Sequence, residues 1–264
     1  MTNPDDQHAL VGRTILVTRA RRQAGRLSEA LRERGATVLE IPAIAIEPPH
    51  SYTPLDAALR DIAEYQWLIV TSVNGAEALR ARMGELGIPS ERLTHLQVAA
   101  VGSATAAALR EAGLAVTLTP REYVAESLVE ALADRVAGQR VLLARAMAAR
   151  DIIPDALRAR GGMVDVFDAY RTIIPAESVT AIRTIFGAGG RAPDAATFTS
   201  SSTVTNFLAL LDAAGMSTIP GMKAVSIGPV TSAALRERGW EPAAEAAPHD
   251  LSGLVDAVMR ALRS

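Results

Sequence analysis

The sequence predicts an α/β protein of two parallel-sheet domains made by internal duplication. Three observations carry the prediction. The chain has 264 residues, more than one ordinary domain, so two cores are expected. Short runs rich in Val, Ile and Leu alternate with longer Ala-, Leu-, Arg- and Glu-rich stretches at helical spacing, the pattern of βαβ units. The chain also matches itself at a fixed shift, and such self-similarity reveals architecture that local propensity does not.

Taken in order, residues 14–18 read as the first strand, Leu27 and Leu31 mark the inner face of a helix, and Gly35 stops that helix before a second strand at 37–41. Further strands are expected at 67–70, 98–101, 141–144, 195–198 and 224–227, each followed by a helix. Residues 41–49 (IPAIAIEPP) and 168–175 (DAYRTIIP) fit neither helix nor buried strand. Their alternation and bounding prolines suit extended segments at a sheet edge or crossing between domains, since proline donates no hydrogen bond to a central ladder.

Residues 12–49 align without a gap on residues 138–175 with 12 identities in 38 positions, among them Gly12/Gly138, Arg19/Arg145, Leu31/Leu157 and Gly35/Gly161. The same shift of 126 carries 102–113 onto 228–239 with 8 identities in 12, including Gly102/Gly228 and Thr105/Thr231. Thr71-Ser72 meets Thr199-Ser200 at a shift of 128. Two diverged copies therefore make up the chain.

Composition removes several function classes. The 27 Lys and Arg against 29 Asp and Glu leave a net charge of −2, with no basic block of the kind that marks nucleic-acid binding, so nucleic acid is not an expected partner. The absence of cysteine excludes disulfides, thiolate nucleophiles and thiolate metal sites, and fits a reducing cytoplasm. Residues 1–10 are polar and acidic, and no apolar run approaches the ~20 residues of a membrane span, so a soluble cytoplasmic protein is expected. His8, His50, His95 and His249 lack metal-ligand spacing. No G-x-G-x-x-G, G-x-x-x-x-G-K-[ST] or G-x-S-x-G occurs, so neither a metal nor a cofactor is expected.

The candidate binding residues lie where strands give way to helices. Gly102-Ser103-Ala104-Thr105 and Gly228-Pro229-Val230-Thr231 each open a helix, where free N–H groups and the helix dipole favour an anion. Thr71-Ser72-Val73-Asn74-Gly75 and Thr199-Ser200-Ser201-Ser202-Thr203 occupy corresponding strand ends, where open α/β sheets bind ligands. Helix capping alone is the competing reading of all four. Arg19, Arg21 and Arg22 follow the first strand, and Arg145 and Arg150 follow its repeat, suited to pairing with carboxylates or to a solvated basic face. Tyr170, one of four tyrosines, lies in the second extended segment, either as a hydroxyl donor or as a packed linker aromatic.

Together these residues resemble the uroporphyrinogen-III synthase family, from Gly12 to Leu262. The opening ILVTRARRQAGRLSEALRERGATVLEIPAIAIEP, then TSVNGAEAL, AVGSATAAAL, Ala169-Tyr170-Arg171-Thr172, TFTSSSTVTNF and SIGPVTSAAL follow in the family's order. The third segment departs from the pattern, with Arg145-Ala146 and Ala148-Ala149 where Arg-Gly and a further glycine are usual.

The resemblance implies two flavodoxin-like domains joined by a two-stranded linker: residues 1–40 with 175–264, residues 47–168, and linker strands at 41–46 and 169–174. It implies a monomer that holds linear hydroxymethylbilane between its domains and closes it to uroporphyrinogen III, with inversion of ring D, loss of water and no cofactor. On this analogy Tyr170 assists departure of the hydroxyl. Arg19, Thr71, Ser72, Asn74, Gly102, Ser103, Thr105, Arg145, Ser200, Ser201, Gly228 and Thr231 hold the substrate. The alternatives are a two-lobed anion-binding module or a regulatory relative that lost turnover, since hinged α/β pairs also close on ligands without chemistry. A nicotinamide-dependent oxidoreductase has only the fold in its favour.

Overall fold

The computed structural model describes residues 8–122, 124–149, 151–187, 190–216, 219 and 221–263, without the side chains of residues 21–23. The chain divides into two compact units, Met1–Ala45 with Ile173–Ser264, and Ile46–Thr172. The first unit opens with β1 (Thr14–Val17), α1 (Arg21–Arg32) and β2 (Thr37–Glu40). The chain then runs through β3 (Ala45–Glu47), α2 (Thr53–Arg60), β4 (Trp67–Val70), α3 (Val73–Leu86), β5 (Gln97–Ala100), α4 (Ser103–Glu111), β6 (Val116–Leu118), α5 (Ala125–Leu132), β7 (Arg140–Ala146), α6 (Ile152–Ala159) and β8 (Met163–Ile173). It returns to the first unit for α7 (Ala176–Phe186), β9 (Ala195–Phe198), α8 (Ser201–Ala213), β10 (Lys223–Ser226), α9 (Pro229–Arg236), β11 (Pro242–Glu245) and α10 (Leu251–Arg263).

One sheet has the order β2-β1-β9-β10-β11 and the other β3-β8-β7-β4-β5-β6. Numbered in its own chain order, the first sheet reads 2-1-3-4-5, the flavodoxin-like order. The strands β8-β7-β4-β5-β6 repeat it with the chain opened at another point, because β7-α6-β8 is the copy of β1-α1-β2 and β10-α9 is the copy of β5-α4. Pairings within both five-strand sets are parallel. The duplication is thus visible twice, as sequence identity and as strand order.

Each sheet is covered on both faces, as parallel sheets require. In the first unit Ile15, Val17, Ala195 and Val225 pack with α1 and α10, while the alternate residues Leu16, Ala196, Phe198 and Ala224 pack with α7, α8 and α9. In the second, Leu68, Val70, Val98 and Leu142 face α2, α3 and α4, and Trp67, Ile69, Ala99 and Leu143 face α5 and α6. Period-two alternation of fully apolar runs fills both cores at once. Each buried Leu, Ile or Phe contributes about 1.5–3 kcal/mol of transfer free energy.

Strands expected at 67–70 and 195–198 have those bounds, and the others differ by one to three residues at their ends. One element differs in extent. Residues 168–173 are not a strand of their own but complete the eleven-residue β8, which lies between β3 and β7 and runs to the boundary of the two units at Thr172/Ile173. Its proline, Pro175, stands beyond the strand, so no ladder hydrogen bond is lost. Gly35 and Gly161, three and two residues beyond the ends of α1 and α6, both adopt positive φ (87° and 83°). At Gly35 a Cβ would also meet Val11 Cγ2 at 2.6 Å, so glycine is required there on both counts.

Candidate functional site

In the second unit Ser72 follows β4 and caps α3, its Oγ accepting from the Gly75 N–H at 3.0 Å. The same Oγ lies 3.0 Å from the hydroxyl of Tyr170 on β8. Tyr170 reaches this position through a bulge. The β7–β8 register runs Arg145↔Asp168 and then Ala146↔Tyr170, so Ala169 is extra. Both Ala169 and Tyr170 join the core cluster beneath α3 and α4, whereas successive residues of a regular strand point to opposite faces. Tyr170 is 7% exposed, with its ring packed and its hydroxyl at the carboxyl end of β4. Thr71 and Asn74 flank Ser72 and are half-buried.

The other turns form as expected from the sequence, with differences in exposure. Gly102 and Gly228 occupy the N-cap positions of α4 and α9 in extended conformation (φ −144° and 172°), so neither uses the left-handed region. Their carbonyls accept from the N–H groups of Ala106 and Ser232, both at 2.9 Å. Ser103 is exposed, while Thr105 and Thr231, each the third residue of its helix, are buried at 5% and 3% exposure. In the first unit Ser200 caps α8, accepting from the Thr203 N–H at 3.1 Å, and its Oγ lies within 2.9 Å of Ser202 Oγ and 2.8 Å of Thr203 Oγ1. Ser201 is exposed beside it.

The two arginines differ. Arg145, 8% exposed at the end of β7, pairs with Asp151 at 2.5 Å. Arg19, two residues beyond β1, is half-buried and has no ion pair among the described residues; its Nε, like that of Arg145, makes no hydrogen bond. Burial pulls its guanidinium below the ordinary value. Arg150 and the side chains of Arg21 and Arg22 lie outside the described residues. Among the described residues no three His, Asp or Glu side chains form a group that would hold a metal, and no helix is long and apolar enough to cross a membrane.

The model of the family described as uroporphyrinogen-III synthase HemD matches residues 25–256. The chain belongs to the uroporphyrinogen-III synthase family. It is 36% identical over 261 residues to the uroporphyrinogen-III synthase of Synechococcus elongatus, covering 96% of each chain. It is 31% identical to a putative uroporphyrinogen-III synthase of Methanothermobacter thermautotrophicus, covering 85% of this chain and 89% of that one. It is 33% identical to the porphyrin biosynthesis protein HemD of Ruminiclostridium josui, matching 86% of this chain but 44% of that longer protein. A mutant uroporphyrinogen III synthase of Thermus thermophilus has a similar fold, with a TM-score of 0.65, 22% identity, and coverage of 95% of this chain and 98% of that one. The Helicobacter pylori structure gives 0.56 at 17%, covering 94% and 99%. Membership in the synthase family makes the chain a cyclising enzyme of tetrapyrrole biosynthesis.

Sequence reasoning singled out Ser72 and Tyr170 separately, for different reasons; the structure brings them into contact across 98 residues. It missed Asp151 as the partner of Arg145, because a carboxylate six residues away on a turn carries no periodic signal. It also missed the His249 ring, which lies 3.4 Å from where a Cβ on Gly228 would stand.

Proposed function

We propose that this chain converts linear hydroxymethylbilane to uroporphyrinogen III and water, inverting ring D, and that Tyr170 assists departure of the hydroxyl. The Ser72–Tyr170 pair carries this reading. Ser72 Oγ already accepts the Gly75 N–H, so the two hydroxyls share two protons and only one is used between them. Whichever hydroxyl donates internally, the other is left with a proton to offer. A chain of such bonds polarises its last donor. With Ser72 donating to Tyr170, the phenol is that last donor, suited to a hydroxyl leaving as water.

Loss of the hydroxyl as water breaks one C–O bond, on a proton that is recovered when the attacking pyrrole loses its hydrogen at ring closure, and leaves an electrophilic azafulvene that ring D must reach in the orientation that leads to its inversion. Holding the bilane in a shape it rarely adopts free in water is the larger part of the task. Backbone N–H groups at Gly102, Ser103, Ser200, Ser201 and Gly228, with Thr71, Asn74, Thr105, Thr231 and Arg19, are suited to the substrate carboxylates. The single phenol is consistent with an asymmetric reaction: at the shift of 126 residues, Tyr170 corresponds to Ile44, so the first unit has no counterpart. We read residues 1–40 with 175–264 and residues 47–168 as the domains, with 41–46 and 169–174 as linkers, supported by contact units that change at Ala45/Ile46 and Thr172/Ile173. The absence of cysteine supports a cytoplasmic setting.

The test is incubation of the purified protein with freshly generated hydroxymethylbilane, then oxidation and chromatographic separation of porphyrin isomers. Type III is expected to predominate; type I alone, the uncatalysed product, would overturn the reading.

A further inference from the structure

We infer that the duplicated arginines have diverged in role, Arg19 serving as the receptor for a substrate carboxylate while Arg145 is occupied by Asp151 of its own chain. The inference deepens the proposed cyclase function and rests on it. Arg19 and Arg145 are equivalent at the 126-residue shift, Arg19 two residues beyond β1 and Arg145 next to last in β7. Those strands hold the same place in their sheets, beside the point where strand order reverses, which is the ligand-binding position of this topology.

Asp151 reaches Arg145 from the turn before α6, with its Oδ1 2.5 Å from Nη2. A carboxylate thus already sits on the guanidinium. The position matching Asp151 in the first copy is Gly25, which has no side chain and around which a Cβ would meet nothing within 4 Å. No described residue replaces the missing acid: Arg19 makes no ion pair, and its Nε is buried without a partner. The orphaned Nε alone does not set Arg19 apart, since the Nε atoms of Arg34 and Arg145 are alike in this; what separates the copies is the carboxylate on Arg145 Nη2, and Arg34 precedes β2, at the opposite end of the strands.

A partly buried, unpaired cation weakens the free protein, and burial here lowers the guanidinium's proton affinity with no carboxylate to offset it. Such a group is stabilised when a ligand brings the missing charge, and a guanidinium presents a planar fork that fits a carboxylate with two parallel hydrogen bonds. The second copy has that complement built in and the first leaves it open.

The distinguishing variants are Arg19→Met, Arg19→Lys and Arg145→Met in the full chain, read by initial rates with hydroxymethylbilane and by thermal unfolding. Removing an unpaired buried cation should leave Tm unchanged or raise it, while KM rises about tenfold or more and kcat falls less. Arg19→Lys should recover part of the KM loss. Arg145→Met should lower Tm modestly, because it removes the ion pair that a buried guanidinium makes with the exposed Asp151, and should raise KM less than Arg19→Met. The probe for binding alone is uroporphyrin III, an octacarboxylate: its stabilisation of the wild type should be reduced in Arg19→Met more than in Arg145→Met. Arg19→Met that lowers Tm with KM and uroporphyrin stabilisation intact would overturn the inference, as would a larger loss in Arg145→Met. Wild-type protein that yields only type I isomer would sink the cyclase reading instead, and the uroporphyrin comparison would still decide the role of Arg19.

Discussion

Ser72 Oγ and Tyr170 Oη stand 3.0 Å apart, the closing contact of a relay that begins at the Gly75 N–H. Because the two hydroxyls act as a unit, their removal should not be additive. Tyr170→Phe should lower kcat about a hundredfold, the lower end for a positioned acid, because conformational restraint of the bilane carries the remainder. Ser72→Ala should lower it less and also cost about 1 kcal/mol of stability, the usual effect of losing an N-cap. In the Tyr170→Phe background, Ser72→Ala should have little further effect on turnover. Rates and unfolding of the three variants decide this; wild-type turnover in Tyr170→Phe, or fully additive losses, would contradict a shared relay.

Much of the fold was legible because its signals are local. Trp67-Leu68-Ile69-Val70 is wholly buried and bounded by polar turns, so a buried parallel strand is the natural reading. The short edge strands Val116–Leu118 and Pro242–Glu245 lack such runs. Within β8, Asp165 and Asp168 interrupt the apolar pattern, and only pairing with β7 identifies the whole strand. The candidate site divides in the same way. Ser72 and Ser200 are readable as caps from residue type and position. Contact with Tyr170 depends on one extra residue in β8, and a bulge at Ala169 leaves no mark in composition or spacing.

Gly75 provides a second check on the relay. Glycine to alanine within a helix ordinarily gains about 1 kcal/mol. Here a Cβ would stand 3.2 Å from Ser72 Oγ, 3.3 Å from Val70 Cγ1 and 3.7 Å from Ala144 O. Val70 is fully buried in the sheet and has little room to move, so Ser72 must give way. Gly75→Ala should therefore lose the usual gain and lower kcat with it, as measured by unfolding and initial rates. A stabilised variant with wild-type kcat would mean that the Ser72 position is not critical.

Asp56 gives a pH-dependent prediction away from the site. Its carboxylate takes two hydrogen bonds from Arg82, both at 2.5 Å, and that guanidinium lies over the Tyr52 ring at 4.6 Å. The Arg82 hydrogen bonds hold the Asp56 carboxyl below its ordinary value of 3.8, and burial opposes them. A depressed carboxyl stabilises the fold above the unfolded value and loses that contribution as pH falls through the folded value. Asp56→Asn should accordingly be less stable than wild type at pH 7, with the difference shrinking below pH about 4. Thermal unfolding across pH 7 to 3 tests this, and a constant difference would remove Asp56 as the titrating group.

A buried polar network is present in the first unit only. Ser226 and Ser232 are fully buried with their hydroxyls 2.6 Å apart, and Ser232 donates to Glu245 Oε2 at 2.5 Å. At the 126-residue shift the second unit has Ala100, Ala106 and Thr119 in these places, and both alanines are buried. A polar group left without its partner inside a protein costs about 1–3 kcal/mol, whereas removing all partners together costs much less. Ser232→Ala alone strands both Ser226 and Glu245 and should destabilise by that amount. The triple variant Ser226→Ala, Ser232→Ala, Glu245→Thr, which copies the residues of the second unit, should lose less stability than the single change. Denaturant unfolding of the two proteins distinguishes them. If the triple variant falls further than Ser232→Ala, the network contributes net stability and is more than a self-satisfied polar island.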